Sequence, residues 1–316
     1  MQRPDVLVLG AGGTIGAAWM AGVLAGLAAE SGIDFAACER IVGTSAGSML
    51  AADLLAGVEP RASGPAPSGG NGAGPADAEE EAVEAALLGA VAREPAAATA
   101  DGDGRVRQRA GRLAAELASA TGVSLAPLAL SLGRGPGALV RAAALARIEE
   151  PRRTLDDLGA RIAGHGLRWD GRLRIVCVDR ARGRRVVFGA PGAPAASIAE
   201  AVQASCSIPG VYRPLRIGDA EYVDGAVWSP TNMDAAPAGR ETHVLCLAPM
   251  AAQLGPRERH PAVRAATSAS LRLETLALQR RGAHVTVAIP EQASPDEHAR
   301  ATGWRQGAAL AAAGSH

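Results

Sequence analysis

The chain alternates between short apolar runs, typical of buried strands, and longer segments with apolar residues at helical spacing. The apolar runs predict strands at residues 5–9, 39–42, 172–179, 184–188, 243–247 and 284–289. The other segments predict helices from the first glycine cluster to Ala28 and at residues 49–56, 195–206 and 262–281. This alternation predicts an α/β fold of three layers, α/β/α, in which helices cover both faces of a mostly parallel central sheet. A functional site is then expected at the carboxyl ends of the strands.

A change of composition marks a long segment between the second predicted strand and the third. Residues 59–76 are dominated by Gly, Pro, Ser and Ala, which is the composition of a linker. Helical spacing then predicts helices at residues 77–92, 105–118, 125–132 and 138–148. We therefore predict one domain over residues 1–316, with a linker and a helical insertion at about 59–150. The insertion is interpreted as a cap over the functional site; alternatively, each of its helices packs against the main sheet.

The sequence GTSAGS, residues 43–48, follows the second predicted strand and precedes a helical segment. In a GxSxG pattern the serine occupies a sharp turn from strand to helix, where it is exposed as a nucleophile. Gly43 and Gly47 would allow the strained backbone and the close approach of strand and helix. Ser45 is thus a candidate catalytic nucleophile. The alternative is a turn of small residues that only lets the helix pack on the sheet.

A glycine cluster, GAGGTIG at residues 10–16, follows the first predicted strand. Backbone N–H groups at such a turn converge near the positive end of a helix dipole, where they can bind an anion. The anion could be a nucleotide phosphate or the oxyanion of a tetrahedral intermediate. A dinucleotide site is disfavoured because the third glycine of GxGxxG falls at Ile15, and Gly16 comes one residue too late.

A third segment, YVDGAVWSPTN at residues 222–232, lies shortly after SIPG at residues 207–210. Asp224 and Gly225 could form a two-residue hairpin loop. A carboxylate beside a glycine turn can equally serve as a rigidly held general base. Asp224 is therefore a candidate base for Ser45.

Four motifs in this chain order resemble the patatin-like phospholipase family: the glycine cluster, GTSAGS, SIPG, and DGA followed by SPTN. The resemblance implies a patatin-like fold in which Ser45 and Asp224 form a catalytic dyad without a histidine. It also implies that Gly12 and Gly13 supply an oxyanion hole. The glycines expected to support these turns are Gly10, Gly16, Gly43, Gly47 and Gly225. The chain departs from the family at Ile15, where the family usually carries a basic residue that could orient an anionic headgroup.

The function implied is that of a serine acyl hydrolase acting on a hydrophobic ester or thioester. No cofactor is expected, and a transient contact with a membrane surface is compatible with this function. An acyltransferase would use the same dyad. Two further classes stay open: a nucleotide-binding enzyme and a catalytically silent lipid-binding module. A Ser-Asp-His triad would require His284 or His298, which follow Asp224 in the chain.

Composition narrows the range of partners and locations. The chain has 32 basic and 32 acidic residues, and its aromatic content is only 3%, so nucleic acid is not expected as a partner. The four cysteines, Cys38, Cys177, Cys206 and Cys246, lie in apolar sequence without CxxC spacing, which favours buried free thiols over disulfides or a metal site. Residues 6–29 carry no charge, but glycines interrupt them, so a buried strand, turn and helix are predicted rather than a signal peptide or membrane span. We expect a cytoplasmic protein.

Overall fold

The computed structural model describes residues 2–60, 136–251, 261–291 and 296–313. Eight strands form one sheet within these residues: β1 (Val6–Leu9), β2 (Arg40–Thr44), β3 (Leu173–Asp179), β4 (Arg184–Phe188), β5 (Leu215–Ile217), β6 (Ala220–Asp224), β7 (His243–Leu247) and β8 (His284–Ala288). The α-helices described are α1 (Gly13–Ser31), α2 (Ala46–Leu55), α3 (Pro136–Ala146), α4 (Asp156–Gly164), α5 (Ile198–Ser205), α6 (Pro261–Arg280) and α7 (Asp296–Ala313). Short 3₁₀ turns lie at Phe35–Ala37, Gly225–Val227, Met233–Ala235 and Pro249–Ala251.

The sheet has the order β5-β6-β3-β2-β1-β7-β8, and β4 pairs with β3. The pairs β1 with β2, β1 with β7, β2 with β3, and β7 with β8 are parallel. The pairs that involve β4, β5 and β6 are antiparallel. The mostly parallel sheet predicted from the sequence is thus confirmed.

Alternate residues of the central strands pack into two separate hydrophobic cores, one on each face of the sheet. Leu7 and Leu9 of β1 point to one face, where they pack with residues from α1, α2, α4, α5 and α7. Val6 and Val8 point to the other face, where Leu271 and Leu278 of α6 cover them. Since β1 is buried along its whole length, its side chains are apolar on both faces, as expected for an inner parallel strand. The three-layer α/β/α arrangement follows.

Helices α1 and α7 pack unusually closely because glycines face the partner helix on both sides. A Cβ at Gly22 would lie 2.1 Å from the Arg300 carbonyl oxygen, and a Cβ at Gly26 would lie 2.1 Å from that of Trp304. In the other direction, a Cβ at Gly303 would meet the Trp19 carbonyl oxygen at 2.2 Å. The contact therefore leaves no room for any side chain at these positions.

Among the described helices, α1 is the one long and apolar enough to span a membrane, with a mean hydropathy of 1.2. However, 61% of its most apolar stretch is buried inside the fold. Its apolar surface is therefore used in the core, which agrees with the buried strand, turn and helix predicted for residues 6–29.

Several elements differ from the sequence prediction. The helix predicted at residues 49–56 begins earlier, at Ala46, because the chain passes from β2 to α2 through Ser45 alone. The patterning does not predict α4, α7, β5 or β6. Helix α7 lacks a stripe of large apolar residues and packs through its glycines, while β5 has only 3 residues.

The predicted insertion can be followed only in part. The helices predicted at residues 77–92, 105–118 and 125–132 lie outside the described residues, as does most of the predicted linker. The helix predicted at 138–148 is α3, whose Leu145 packs against Val178 of β3 and Val223 of β6. This helix thus packs on the main sheet, which is the alternative to a cap.

The glycine contacts between α1 and α7 make a direct prediction about stability. Gly26→Ala should lower the free energy of unfolding by about 1–3 kcal/mol, because the new methyl group meets backbone that cannot move aside. Urea denaturation measures the change. The matched control is Gly164→Ala at the end of α4, where a Cβ would have nothing within 4 Å and the change should stay below about 1 kcal/mol. Equal stability of the two variants would contradict this packing.

Candidate active site

The edge of β3 brings two distant segments of the chain together. On this edge β2 pairs with the first part of β3 and ends at Thr44, opposite Val176. Strand β6 pairs with the next part of the same edge, where Asp224 lies opposite Cys177. Since Val176 and Cys177 are neighbours, the carboxyl ends of β2 and β6 meet, and Ser45 follows Thr44 at this junction.

Ser45 occupies a strained turn between β2 and α2. Its φ of 51° and ψ of −122° lie outside the regions that a residue with a Cβ normally adopts. The backbone is held there by hydrogen bonds on both sides: the Ser45 N–H donates to Ser205 Oγ at 2.9 Å, and the Ser48 N–H donates to the Ser45 carbonyl at 2.8 Å. This is the geometry expected of the serine in a GxSxG turn.

Asp224 is 2% exposed and lies against Ser45. Its Oδ1 accepts a hydrogen bond from the Ala226 N–H at 2.7 Å, while its Oδ2 is buried and makes no well-aligned hydrogen bond within the described part of the chain. Burial raises the pKa of Asp224 from 3.8 to about 7, and the nearby Ser45 hydroxyl and Ala226 N–H oppose this shift. The carboxyl group is therefore close to the serine and can change protonation state near neutral pH.

The glycine cluster lies beside this pair, after the carboxyl end of β1. Gly12 directly precedes α1, and Gly13 starts the helix with a φ of 56°. The N–H of Ala11 is bonded to the Pro230 carbonyl, whereas no hydrogen bond among residues 2–60, 136–251, 261–291 and 296–313 uses the N–H of Gly12 or Gly13. Two backbone donors at a helix N-terminus are thus available to an anion.

Glycines are required where the three turns approach one another. A Cβ at Gly47 would lie 2.0 Å from the Leu9 carbonyl oxygen, so α2 starts directly against the end of β1. A Cβ at Gly225 would lie 2.3 Å from the Val176 carbonyl oxygen. A Cβ would also clash at Gly43 and Gly12, at 2.6 and 2.7 Å from the nearest atom, whereas at Gly10 and Gly16 it would make only a tight contact at 3.0 and 3.1 Å.

The sequence reading missed residues that hold the two turns in place. Ser205 accepts from the Ser45 N–H and donates its own proton to the Val176 carbonyl at 2.7 Å. The Asp224 N–H donates to the Ser207 carbonyl at 3.0 Å. Ser207 is the first residue of SIPG and Ser205 lies two residues before it, so this motif is the sequence signal that points to both.

Asn232, the last residue of SPTN, was also missed. Its Nδ2 lies 3.2 Å from Thr44 Oγ1, 3.1 Å from the Gly225 carbonyl and 2.5 Å from the Ser229 carbonyl. It adopts a φ of 49°, which asparagine tolerates better than most residues. Asn232 therefore connects the residue before Ser45 to the residue after Asp224.

The structure shows the positions of Asp224 and His284, which decide two of the alternatives raised by the sequence. Asp224 ends β6 and is followed by a 3₁₀ turn, so Asp224 and Gly225 do not form a hairpin loop. His284 begins β8 and stacks on His243 at the amino edge of the parallel sheet, away from the carboxyl edge that carries Ser45. The side chain of His298 lies outside the described residues.

The four cysteines, all in the described part of the chain, are buried and not joined in disulfides. No group of metal-ligating side chains occurs in the described ranges.

The fold and the site together define an α/β protein with a serine on a strand-to-helix turn beside a buried carboxylate and a glycine turn. A family model described as patatin-like phospholipase matches residues 89–237, which include SIPG and YVDGAVWSPTN but begin after GTSAGS. This match confirms the resemblance to patatin-like phospholipases, and the strand pairing confirms an α/β fold with a mostly parallel central sheet. A search of curated proteins finds no match.

Two solved structures are distantly similar. VipD from Legionella pneumophila aligns with 17% identity and a TM-score of 0.44 over 99% of this chain and 67% of its own. The type III effector protein ExoU aligns with 16% identity and a TM-score of 0.34 over 98% of this chain and 53% of its own. The match to the family model supports a lipid ester hydrolase, and none of these findings supports the acyltransferase or nucleotide-binding alternative.

The hydrogen bonds of Ser205 predict a loss of stability on substitution. Ser205→Ala should lower the free energy of unfolding by about 2 kcal/mol or more, because the Ser45 N–H and the Val176 carbonyl both lose a buried partner. Chemical denaturation measures this loss. Ser31→Ala is the control, since the Ser31 hydroxyl donates to the Leu27 carbonyl within α1 at the part-buried end of the helix, and a change within about 0.5 kcal/mol is expected. If Ser205→Ala is as stable as Ser31→Ala, Ser205 does not hold the Ser45 turn through these two hydrogen bonds.

Proposed function

We propose that this protein is a serine hydrolase that cleaves a hydrophobic ester or thioester through an acyl-enzyme on Ser45, with Asp224 as the base. The observation that carries the proposal is the meeting of β2 and β6 on one edge of β3, which sets a strained serine against a buried carboxyl group. The match to the patatin-like phospholipase model supports a lipid ester as the substrate class.

In the first half of the reaction, the Ser45 hydroxyl transfers its proton to Asp224 Oδ2 as its oxygen bonds to the carbonyl carbon. The carbonyl oxygen becomes an oxyanion, which the N–H groups of Gly12 and Gly13 stabilise together with the N-terminal dipole of α1. The bond to the leaving alcohol or thiol then breaks, and the leaving group takes the proton back from Asp224. An acyl-enzyme on Ser45 remains.

In the second half, a water molecule attacks the acyl carbon and gives its proton to Asp224. The bond between this carbon and Ser45 Oγ breaks, the serine oxygen recovers the proton, and the carboxylic acid leaves. Asp224 thus acts as base and acid in turn, which a pKa of about 7 suits because the proton can be both accepted and returned near neutral pH.

The location of the enzyme is also part of the proposal. The four buried cysteines are not joined in disulfides, which supports a reducing compartment such as the cytoplasm. A transient contact with a membrane surface would give access to lipid substrates. Ile15 stands where the family usually carries a cation that could orient an anionic headgroup, so short soluble esters should be accepted more readily than micellar phospholipid.

The role of Ser45 is tested with a fluorophosphonate probe, which reacts with activated serines. We expect the protein to be labelled at Ser45 and Ser45→Ala to show no labelling while its unfolding temperature is kept. Ser197→Ala, which changes the exposed cap of α5, should be labelled like the parent. Labelling of the Ser45→Ala variant at the parent rate would remove Ser45 from the mechanism.

The role of Asp224 is tested by Asp224→Asn, which keeps the shape of the side chain but cannot accept the proton. We expect kcat/KM for p-nitrophenyl butyrate to fall about 10³-fold. In the parent protein, kcat/KM should rise as the pH increases through about 7, because only ionised Asp224 is a base. Asp179→Asn is the control, since Asp179 is a buried aspartate of β3 that pairs with Arg182 outside the site.

The same substitution affects stability with a defined sign. The pKa of Asp224 is raised in the folded protein. Between pH 3.8 and about 7, Asp224 is therefore protonated in the folded protein but ionised in the unfolded chain. The stabilisation from this proton is lost as the pH rises through about 7. The unfolding temperature of Asp224→Asn relative to the parent should therefore increase from pH 5 to pH 8. If the difference in unfolding temperature between Asp224→Asn and the parent is the same at pH 5 and pH 8, and the variant turns over substrate like the parent, Asp224 is excluded as the base.

A further inference from the structure

Helix α6 places a buried carboxyl group, that of Glu274, behind the site. Glu274 is 7% exposed, and its Oε2 accepts from Thr231 Oγ1 at 2.5 Å and from the Met233 N–H at 2.8 Å. Thr231 and Met233 stand on either side of Asn232. One carboxylate oxygen thus binds the side chain of the residue before Asn232 and the backbone of the residue after it.

The contacts of Asn232 carry this support to the two turns of the site. Its Nδ2 reaches Thr44, the residue before Ser45, and the carbonyl of Gly225, the residue after Asp224. Asn232 makes both contacts from a left-handed backbone conformation, with a φ of 49°. The hydrogen bonds of Glu274 hold the segment in that conformation.

Burying a carboxyl group is costly, so its retention needs a compensating interaction. Burial raises the pKa of Glu274 above its usual range and the negative charge of Asp234 adds to this shift, while the hydrogen bonds from Thr231 and Met233 oppose it. Asp234 is itself paired with Arg185, at 2.5 and 2.9 Å. An apolar side chain at position 274 would avoid this cost, but it would leave the Thr231 hydroxyl and the Met233 N–H without their buried acceptor.

We infer that Glu274 is a positioning residue of the proposed dyad: it holds residues 229–233 so that Asn232 fixes Thr44 and Gly225, and with them the mutual placement of Ser45 and Asp224. This inference rests on the proposed function. Glu274 contacts neither Ser45 nor Asp224 and takes no part in proton transfer. Its loss should therefore misplace the reacting groups without removing any of them.

The test compares Glu274→Ala with Glu274→Gln in the full chain, using p-nitrophenyl butyrate hydrolysis and the rate of fluorophosphonate labelling. Glu274→Ala should lower kcat and the labelling rate by roughly 10- to 100-fold, because small misplacements of reacting groups have effects of this size. KM should change less than about threefold. Glu274→Gln retains a carbonyl oxygen that can accept both hydrogen bonds, so it should restore at least half of the parent rate.

Leu271→Ala is the matched control for a general loss of stability. Leu271 lies on the same helix and is buried in the same core, but it makes none of the hydrogen bonds to residues 229–233. Its unfolding temperature should fall while its labelling rate stays within about twofold of the parent. If Glu274→Ala and Leu271→Ala lose labelling equally, Glu274 has only a structural role and the inference is wrong.

Thr231 provides a second test should Glu274→Ala fail to fold. Thr231→Ser keeps the hydroxyl that donates to Glu274 and should retain the parent rate, whereas Thr231→Val removes the donor at nearly constant size and should slow labelling at least threefold. Equal rates in both variants would overturn the inference. Failure of the proposed function is distinguishable, because the parent protein itself would then not be labelled at Ser45.

Discussion

The structure depends on one arrangement of strands, in which β2 and β6 end against adjacent positions of β3. A parallel strand and an antiparallel strand share the same edge, so two turns from distant parts of the chain meet at Val176 and Cys177. One turn carries Ser45 and the other carries Asp224. Everything proposed about the chemistry follows from this junction, because it sets the two side chains in contact before any substrate binds.

The junction demands both strain and close packing. Ser45 has a positive φ that is held by Ser205 and Ser48, and the glycines at positions 47 and 225 lie so near to neighbouring carbonyl oxygens that a methyl group would not fit. The same closeness buries Asp224 and raises its pKa. Packing, backbone strain and a perturbed carboxyl group are therefore three consequences of a single geometric constraint, and the contacts of Glu274 add a support from behind it.

Much of the fold could be predicted from the sequence because the inner strands are apolar on both faces and the turns carry glycines at fixed offsets. The strand at residues 243–247 is found with the predicted bounds. Ser45, Asp224 and the glycine turn could be proposed because each lies in a motif whose chemistry is local. Helix α7 could not be recognised, since its contact with α1 uses small residues and leaves no apolar stripe.

The supporting residues of the site could not be predicted, for a different physical reason. Ser205, Asn232 and Glu274 act through hydrogen bonds to residues far away in the chain, and neither spacing nor composition reveals such partners. A polar residue in a helix such as α6 is indistinguishable by pattern from one that faces solvent. Only the tertiary structure shows that Glu274 is buried and what it holds.

A crystal structure of the phosphonylated protein would test the central claim most directly. The account predicts phosphorus bonded to Ser45 Oγ, Asp224 beside that oxygen, and the phosphoryl oxygen about 2.7–3.1 Å from the N–H groups of Gly12 and Gly13. Phosphorus on another residue, or a phosphoryl oxygen directed away from the glycine turn with Asp224 out of contact, would contradict it.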